Sequence, residues 1–144
     1  MLRCLLVLLS AFVLAAPALA AKAPPYTYVR VGNAVDVAPA TTPGMALMGG
    51  GTDVDQAFQW LCGLGGNGDF LVIRATGTDA YNPYVRDLCP NANSVATLII
   101  PSAAAANLPA VAAIIAQAEV VWIAGGDQSN YIGFWKNTPV QSTL

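Results

Sequence analysis

The sequence predicts an α/β domain in which helices cover both faces of a mostly parallel sheet, giving a three-layer sandwich. Short apolar runs alternate with amphipathic stretches at a spacing of roughly 25 residues, which is typical of strand–helix–strand crossovers. The apolar runs are unbroken, as in strands that are buried on both faces. Glycine with acidic or amide side chains follows three of the four main predicted strands. Such loops gather at one edge of a parallel sheet, where ligands bind.

The first twenty residues have the pattern of a secretory signal peptide. Arg3 precedes an apolar run at residues 5–16, and Ala-Leu-Ala occupies residues 18–20. The alternative is a membrane anchor, but the run is shorter than the roughly 20 residues that span a bilayer. We therefore expect an exported protein, periplasmic or extracellular, that keeps no membrane segment after cleavage.

The composition excludes several classes of function for these residues. The formal net charge is −2 and there is no basic patch, so nucleic acid is not an expected partner. No histidine is present, which removes the usual base of Ser–His and Cys–His catalysis and the commonest metal ligand. No serine lies in a Gly-x-Ser-x-Gly elbow. We expect no metal and no cofactor, and this chain by itself holds no recognisable catalytic set.

The chain begins with a lead-in segment at residues 21–43, in which the alternating run "YTYVRVG" predicts one strand. "MALMGGG" then predicts a short strand that ends in glycines, and "TDVDQAFQWLC" predicts a helix. Thr52 and Asp55 have the spacing of a capping box at the start of that helix, with aspartate in place of the usual glutamate. Gly63 is expected to end it.

Three strand–helix units follow in the same pattern. The predicted strands are "DFLVIRATG", "SVATLIIP" and "VVWIAGG". Helices are expected to begin near Pro83, at Pro109 and within "QSNYIGFWKN". "GLGGNG" at residues 63–68 matches the dinucleotide-binding fingerprint, but it leaves a helix and opens a strand. A helix end followed by a turn is therefore predicted there, and not a nucleotide site.

The last residues, "NTPVQSTL", open like another helix, with Thr138 as its cap and Pro139 in its first turn. We expect residues 44–144 to be the N-terminal part of a domain that is incomplete at its C-terminus. A parallel sheet that ends early exposes an edge strand, which invites association between chains. A homo-oligomer is therefore one expected consequence.

Two glycine-containing loops are candidates for ligand contact. Gly125 and Gly126 leave their amides free to face a ligand, as an oxyanion hole requires, and Asp127 or Gln128 could then bind a peptide or carboxylate group. The alternative is a tight turn with Asp127 as a helix cap. Gly50 and Gly51 precede a helix in the same way and either line a substrate pocket or make a tight turn.

Arg74 and Asp79 lie in the loop "RATGTDAYN", which is expected at the same edge of the sheet. They are candidates for substrate binding, with ordinary turn chemistry as the alternative. Cys62 and Cys89 remain after signal cleavage. They form either a disulfide, as in many exported proteins, or two separately buried thiols.

Four strings in order along residues 44–144 resemble the cyanophycinase-like serine peptidases, which are relatives of aspartyl dipeptidase with a class I glutamine-amidotransferase-like fold. They are "LMGGGTDVDQAFQWL", "FLVIRATGTDAYNPYV", "NSVATLII" and "VVWIAGGDQSNYIGFWKNTPV". The most specific part is "IAGGDQ" followed by an aromatic-rich helix. The resemblance implies a flavodoxin-like sandwich whose serine nucleophile follows the next strand, with a histidine and an acidic residue further on.

The resemblance also implies a substrate class. Members of this family act on peptides with aspartyl residues, including Asp-Arg isopeptide units. By that likeness Gly125 and Gly126 help to form the oxyanion hole, and Gln128 contacts substrate. The chain as given lacks the nucleophile and the histidine, so we expect it to be inactive alone. Two alternatives stay open: an exported domain that binds an amino acid or peptide without catalysis, and a glutamine-amidotransferase-like protein.

Overall fold

A computed structural model describes residues 23–144 of the chain. The predicted signal peptide at residues 1–20 lies outside the described residues. Within residues 23–144, no helix combines the length and the apolar character that crossing a bilayer requires.

The described chain is an α/β domain with four strands and six helices. The strands are β1 (Thr27–Gly32), β2 (Asp69–Arg74), β3 (Ser94–Ile99) and β4 (Val120–Ile123). The helices are α1 (Asp55–Leu64), α2 (Tyr81–Leu88), α3 (Ala103–Ala106), α4 (Pro109–Ala116), α5 (Gln128–Trp135) and α6 (Pro139–Thr143).

The four strands form one mixed sheet in the order β1-β3-β2-β4. β2 pairs in parallel with both β3 and β4, with Phe70 opposite Val95 on one side and Val120 on the other. β1 pairs with β3 in the antiparallel direction. The prediction of a mostly parallel sheet is therefore wrong. The lead-in strand enters from outside the strand–helix series, so no crossover connection forces it to run parallel to its neighbour.

The predicted strand in "MALMGGG" does not form, and residues 45–51 have no regular secondary structure. Three consecutive glycines weaken a strand because they supply no side chains to pack and lose much conformational freedom on ordering. Gly51 has a φ of 125°, which takes the backbone out of the extended region. This difference leaves β4 at the edge of the sheet.

Alternate residues of the strands supply two cores, one on each face of the sheet. Phe70 and Val72 of β2 pack on one face with apolar residues of α1 and α2. Leu71 and Ile73 pack on the other face with residues from α3 to α6. The unbroken apolar run of β2 is thus explained by burial on both sides, as the sequence predicts.

The predicted helices form, with differences at their ends. α2 contains Pro83 in its first turn and α4 begins at Pro109, as expected. The predicted capping box is wrong: α1 begins at Asp55 with Val54 as its N-cap residue, and no side chain caps it. Helix α3, in "PSAAAAN", was not expected, and the Ser102 hydroxyl caps it by accepting a hydrogen bond from the Ala105 amide. Residues 63–68 contain the end of α1 and the turn into β2, as predicted, but Gly63 does not end the helix: α1 runs to Leu64 and Gly65 is its C-cap residue.

Cys62 and Cys89 are joined by a disulfide, with a Cα–Cα distance of 6.3 Å. Both residues are buried in the core beneath α1 and α2. The sequence leaves open a disulfide or two separately buried thiols, and the structure has the disulfide. The bond ties the end of α1 to the end of α2.

A buried polar network fastens β1 to the sheet at the amino end of β2. The Arg30 guanidinium donates to Asp69 Oδ1 over 2.8 Å, and Asn93 Nδ2 donates to the same oxygen over 2.8 Å. The Ser94 hydroxyl is a third donor. Burial by itself raises the pKa of Asp69, but these hydrogen bonds and the Arg30 charge outweigh it and hold the pKa below its ordinary value of 3.8.

Because the pKa of Asp69 is lowered by folding, its ionised form stabilises the fold above the unfolded-state pKa. This contribution is lost as the pH falls through the lower folded-state pKa. We expect Asp69→Asn to lower the free energy of unfolding by about 3 kcal/mol at neutral pH, as when one partner of a buried ion pair is removed. The difference in the free energy of unfolding between Asp69→Asn and the wild type should shrink below pH 3.8. Urea denaturation at a series of pH values measures it.

Asp36→Asn is the control for the Asp69 variant, because Asp36 is an exposed acid that lines the same small cleft as Asp69. It should change the stability little at any pH. A deficit for Asp69→Asn that stays constant from neutral to acid pH would contradict the assigned role of Asp69.

Candidate functional site

A groove of about 640 Å³ lies along the outer edge of β4. Its volume is in the range of small-ligand and peptide sites. One wall is the edge strand with Gly125 of the following loop, and the opposite wall is residues 44–51. The residues that the argument below uses are Gly50, Gly51, Asp53, Tyr81, Trp122 and Gly125.

Side-chain packing, and not pairing with the sheet, holds the wall of residues 44–51 in place. Gly44 lies so close to α1 that a Cβ there would come within 2.2 Å of the Leu64 side chain. Just before it, the Thr42 amide donates to the Leu64 carbonyl over 2.8 Å. Ala46 and Met48 pack on the core beneath α1 and α2. The wall is therefore anchored along its inner side.

The main chain of this wall has no hydrogen-bond partner. Within the described residues, no backbone amide or carbonyl of residues 44–51 takes part in a hydrogen bond. β4 faces it as an edge strand that pairs only with β2. An edge strand leaves alternate amide and carbonyl groups pointing outwards. Two rows of main-chain polar groups without partners thus border the same groove.

The structure brings three of the predicted glycines to this groove. Gly50, Gly51 and Gly125 line it, and a Cβ at any of them would meet no atom within 4 Å. Gly126 is exposed but does not line the groove. A Cβ at Gly126 would lie 3.1 Å from the Tyr131 hydroxyl oxygen, so the Tyr131 side chain partly fills the space beside Gly126. Of the Gly125–Gly126 pair, Gly125 is the residue that an incoming group could approach.

Asp127 caps the helix after the loop. Its Oδ1 accepts a hydrogen bond of 2.9 Å from the Ser129 amide, and α5 begins at Gln128. The hydrogen bond from Ser129 lowers the pKa of Asp127 below its ordinary value. The structure thus shows the cap that the sequence offers as the alternative to substrate binding. Gln128 is exposed in the first turn of α5 and lies outside the groove lining.

Arg74 and Asp79 are not brought to the groove either. The Arg74 guanidinium donates to the carbonyls of Thr76 and Thr78, the latter over 3.0 Å. It packs closely over Gly77, whose φ of 112° suits glycine. The Asp79 carbonyl accepts from the Asn82 amide at the start of α2, and its side chain is exposed. In this conformation both residues shape their own loop.

The sequence places the loop with Tyr81 at this edge of the sheet, but it does not predict the contact of Tyr81 with Asp53, and both residues line the groove. The Tyr81 hydroxyl donates to Asp53 Oδ2 over 2.6 Å. Burial and the Asp53 carboxylate raise the pKa of Tyr81 above 10.0, although the neighbouring Trp122 indole and the Arg74 charge act in the opposite direction. A signal was present in the sequence, because both residues flank predicted glycine-containing loops.

Trp122 also lines the groove, and its indole N–H has no hydrogen-bond partner. This nitrogen is buried and lies near the Tyr81 hydroxyl, whose pKa it lowers, but the pair does not have the geometry of a hydrogen bond. A buried donor without an acceptor costs free energy, so the position favours an acceptor such as a carbonyl oxygen.

A second acidic and aromatic pair lies beside the first. The Tyr84 hydroxyl donates to Asp55 Oδ1 over 2.7 Å, and burial with this carboxylate raises the pKa of Tyr84 to about 12. Phe58 packs against both tyrosine rings and against Trp122. The cluster offers hydrogen-bond acceptors and ring faces. Within residues 23–144, no group of three histidine, cysteine or acidic side chains could hold a metal ion.

Comparisons with known proteins identified no relative of this chain. No protein-family model, no curated protein and no solved structure matches the chain.

The Asp53–Tyr81 contact predicts how Tyr81 titrates. A phenolate beside a carboxylate is disfavoured, so Asp53→Asn should lower the pKa of Tyr81 towards 10.0. The ring resonances of isotope-labelled tyrosine, followed by NMR through an alkaline titration, measure it. Asp55→Asn is the matched control and should lower the pKa of Tyr84 instead. If Tyr81 titrates alike with and without the Asp53 charge, the contact does not exist in solution.

Proposed function

We propose that the chain is the N-terminal portion of an exported cyanophycinase-like serine-type peptidase, which hydrolyses aspartyl peptide or isopeptide bonds in the periplasm or outside the cell. The finer fold in this proposal is the flavodoxin-like, class I glutamine-amidotransferase-like sandwich. The nucleophilic serine and the histidine would follow Leu144, since residues 1–144 contain no histidine and no serine elbow. The chain alone is then inactive.

The observation that carries the proposal is the open main chain at Gly125. This residue lies two positions after the carboxyl end of β4, lines the groove and has no atom within 4 Å of the position of a Cβ. A substrate carbonyl can therefore reach its peptide unit. In acyl transfer, amides placed in this way stabilise the oxyanion that forms when the nucleophile attacks.

The groove supplies the remaining requirements of a peptide substrate. Gly50 and Gly51 on the opposite wall leave room for close approach of a backbone. The Asp53 carboxylate, which accepts from Tyr81, can also accept from an amide or cationic group of a substrate. Gln128, Arg74 and Asp79, by contrast, would contact substrate only after their loops rearrange.

The second candidate function is an exported domain that binds a peptide or amino acid without catalysis. The lack of histidine and the groove with unpaired main chain favour it. The glutamine-amidotransferase-like alternative has no such support in the described residues. The coding sequence beyond Leu144 separates these functions. A Gly-x-Ser-x-Gly elbow with a later histidine selects the peptidase, a cysteine elbow the amidotransferase, and a stop codon the binding domain.

In the full-length protein, Gly125→Val should lower the rate of hydrolysis of a β-aspartyl-arginine dipeptide by about 100- to 1000-fold, the loss expected when an oxyanion donor is blocked. The thermal midpoint should stay unchanged, because the added side chain enters open space. Gly133→Val is the matched control, since Gly133 is equally open but lies within α5.

Wild-type protein that leaves aspartyl peptides intact would contradict the proposed reaction. Wild-type hydrolysis that survives Gly125→Val would contradict the role of Gly125 while leaving the reaction itself in place.

A further inference from the structure

The Tyr131 side chain of α5 packs against the loop that carries Gly125 and Gly126. Its hydroxyl donates to the Ala124 carbonyl over 2.7 Å and lies 3.3 Å from the Gly125 carbonyl oxygen. A Cβ at Gly126 would lie 3.2 Å from the edge of the tyrosine ring, so glycine at this position favours the close approach. Two consecutive carbonyls of the loop thus converge on one hydroxyl.

The convergence of these carbonyls sets the direction of the next two amides. A trans peptide unit is planar, and its carbonyl and N–H point in opposite directions. No peptide bond of the described residues is cis. The amides of Gly125 and Gly126 therefore point away from the Tyr131 hydroxyl, and neither donates to another main-chain group within residues 23–144. On that side the loop presents donors to an incoming group.

The backbone of the loop does not by itself select this orientation. The Gly125–Gly126 peptide has glycine on both sides, and rotating it by half a turn would exchange the places of its carbonyl and its amide. The rotation would make φ of Gly126 positive, which it is not here, and glycine populates positive φ about as readily as negative φ. A contact from outside the loop is therefore needed to hold the peptide.

We propose that Tyr131 is a positioning residue, whose hydroxyl holds the peptides from Ala124 to Gly126 in the orientation that presents their amides to a carbonyl oxygen or oxyanion. The proposal deepens the proposed function, and it rests on that function only for the identity of the oxygen as that of the scissile carbonyl. The orientation of the loop is independent of the reaction.

Tyr131 is held by the core of the domain and not by the loop that it contacts. Its ring meets the Trp135 ring edge-on, with the centroids 4.6 Å apart. Trp135 is buried, and its indole N–H donates to the Ile100 carbonyl over 3.1 Å. On the other side of the hydroxyl, the Ala124 amide donates to the Ile73 carbonyl over 3.1 Å. The free part of the loop therefore begins directly after Ala124.

The hydroxyl keeps its proton at neutral pH, as donation requires. Burial raises the pKa of Tyr131 above its ordinary value of 10.0, although the Ala75 main chain and the Arg74 charge act in the opposite direction. One proton serves two carbonyls, and the shorter distance identifies Ala124 as the main acceptor. The Gly125 carbonyl is held more weakly, so its peptide should be the first to turn when the hydroxyl is removed.

The first test measures the orientation of the loop in the full chain without a ligand. Residual dipolar couplings of N–H bonds, measured by NMR, report the direction of each amide relative to the sheet. In Tyr131→Phe the couplings of Gly125 and Gly126 should depart from the wild-type values, while those of β2 stay unchanged. Equal couplings of both glycines in the two proteins overturn the proposal.

Tyr26→Phe is the matched control for this measurement. Tyr26 packs on the same core as Tyr131 but lies before β1, outside the loop. Its loss of a hydroxyl should leave the couplings of Gly125 and Gly126 at their wild-type values. A change as large as that in Tyr131→Phe would show that the loop responds to any change in the core, and it would overturn the specific role of Tyr131.

The second test asks whether the orientation serves the reaction. In the full-length protein, Tyr131→Phe should lower kcat for the β-aspartyl-arginine dipeptide about ten-fold, the order of one lost hydrogen bond, and leave KM unchanged. In a Gly125→Val background it should have no further effect, because the amide that it positions is already blocked. Losses that multiply in the double variant overturn the positioning role. Tyr26→Phe should leave kcat unchanged.

These outcomes are separable from those for the proposed peptidase. A wild type that leaves the dipeptide intact refutes the reaction, and couplings that change in Tyr131→Phe then still support the assigned orientation of the loop. A wild type that hydrolyses the dipeptide, with kcat unchanged in Tyr131→Phe, refutes the positioning role and leaves the reaction in place.

Discussion

The unpaired main chain at the outer edge of β4 determines which ligands can bind in the groove. β4 pairs with β2 on one side alone, and the glycine-rich segment opposite it, residues 44–51, makes no hydrogen bond with it or with any other described residue. Natural proteins rarely leave such an edge bare, because it pairs with whatever strand approaches. Here the edge is set inside a groove, which limits the approach to a narrow partner.

The walls of the groove are held by contacts that do not depend on an occupant. Hydrogen bonds from Tyr81 to Asp53 and from Tyr84 to Asp55 join the start of α2 to the start of α1. The Cys62–Cys89 disulfide joins the two helices at their other ends. A site supported in this way loses little freedom when a ligand binds, so more of the contact energy remains for affinity.

Much of the layer structure could be predicted from the sequence. The apolar run of β2 indicates burial on both faces of the sheet, and the prolines of α2 and α4 indicate the first turns of helices. The direction of β1 could not, since nothing within a strand specifies the direction of its partner. The predicted strand at residues 45–51 failed because Gly49 to Gly51 offer no side chains for the second face of the sheet.

The candidate site was predicted in part. Glycine at a strand end signals open main chain, and Gly50, Gly51 and Gly125 do line the groove. The same reasoning predicted ligand contacts for Arg74 and Asp127, but hydrogen bonds within their own loops hold both side chains. The contact of Tyr81 with Asp53 and Trp122 was not predicted, because it joins three separate segments, which no local pattern records.

The most direct measurement is amide hydrogen exchange of the unliganded protein, followed by NMR. Residues 45–48 should exchange at the rate of an unprotected chain while β2 is strongly protected; protection of 45–48 equal to that of β2 would show that the edge is already paired and the groove closed.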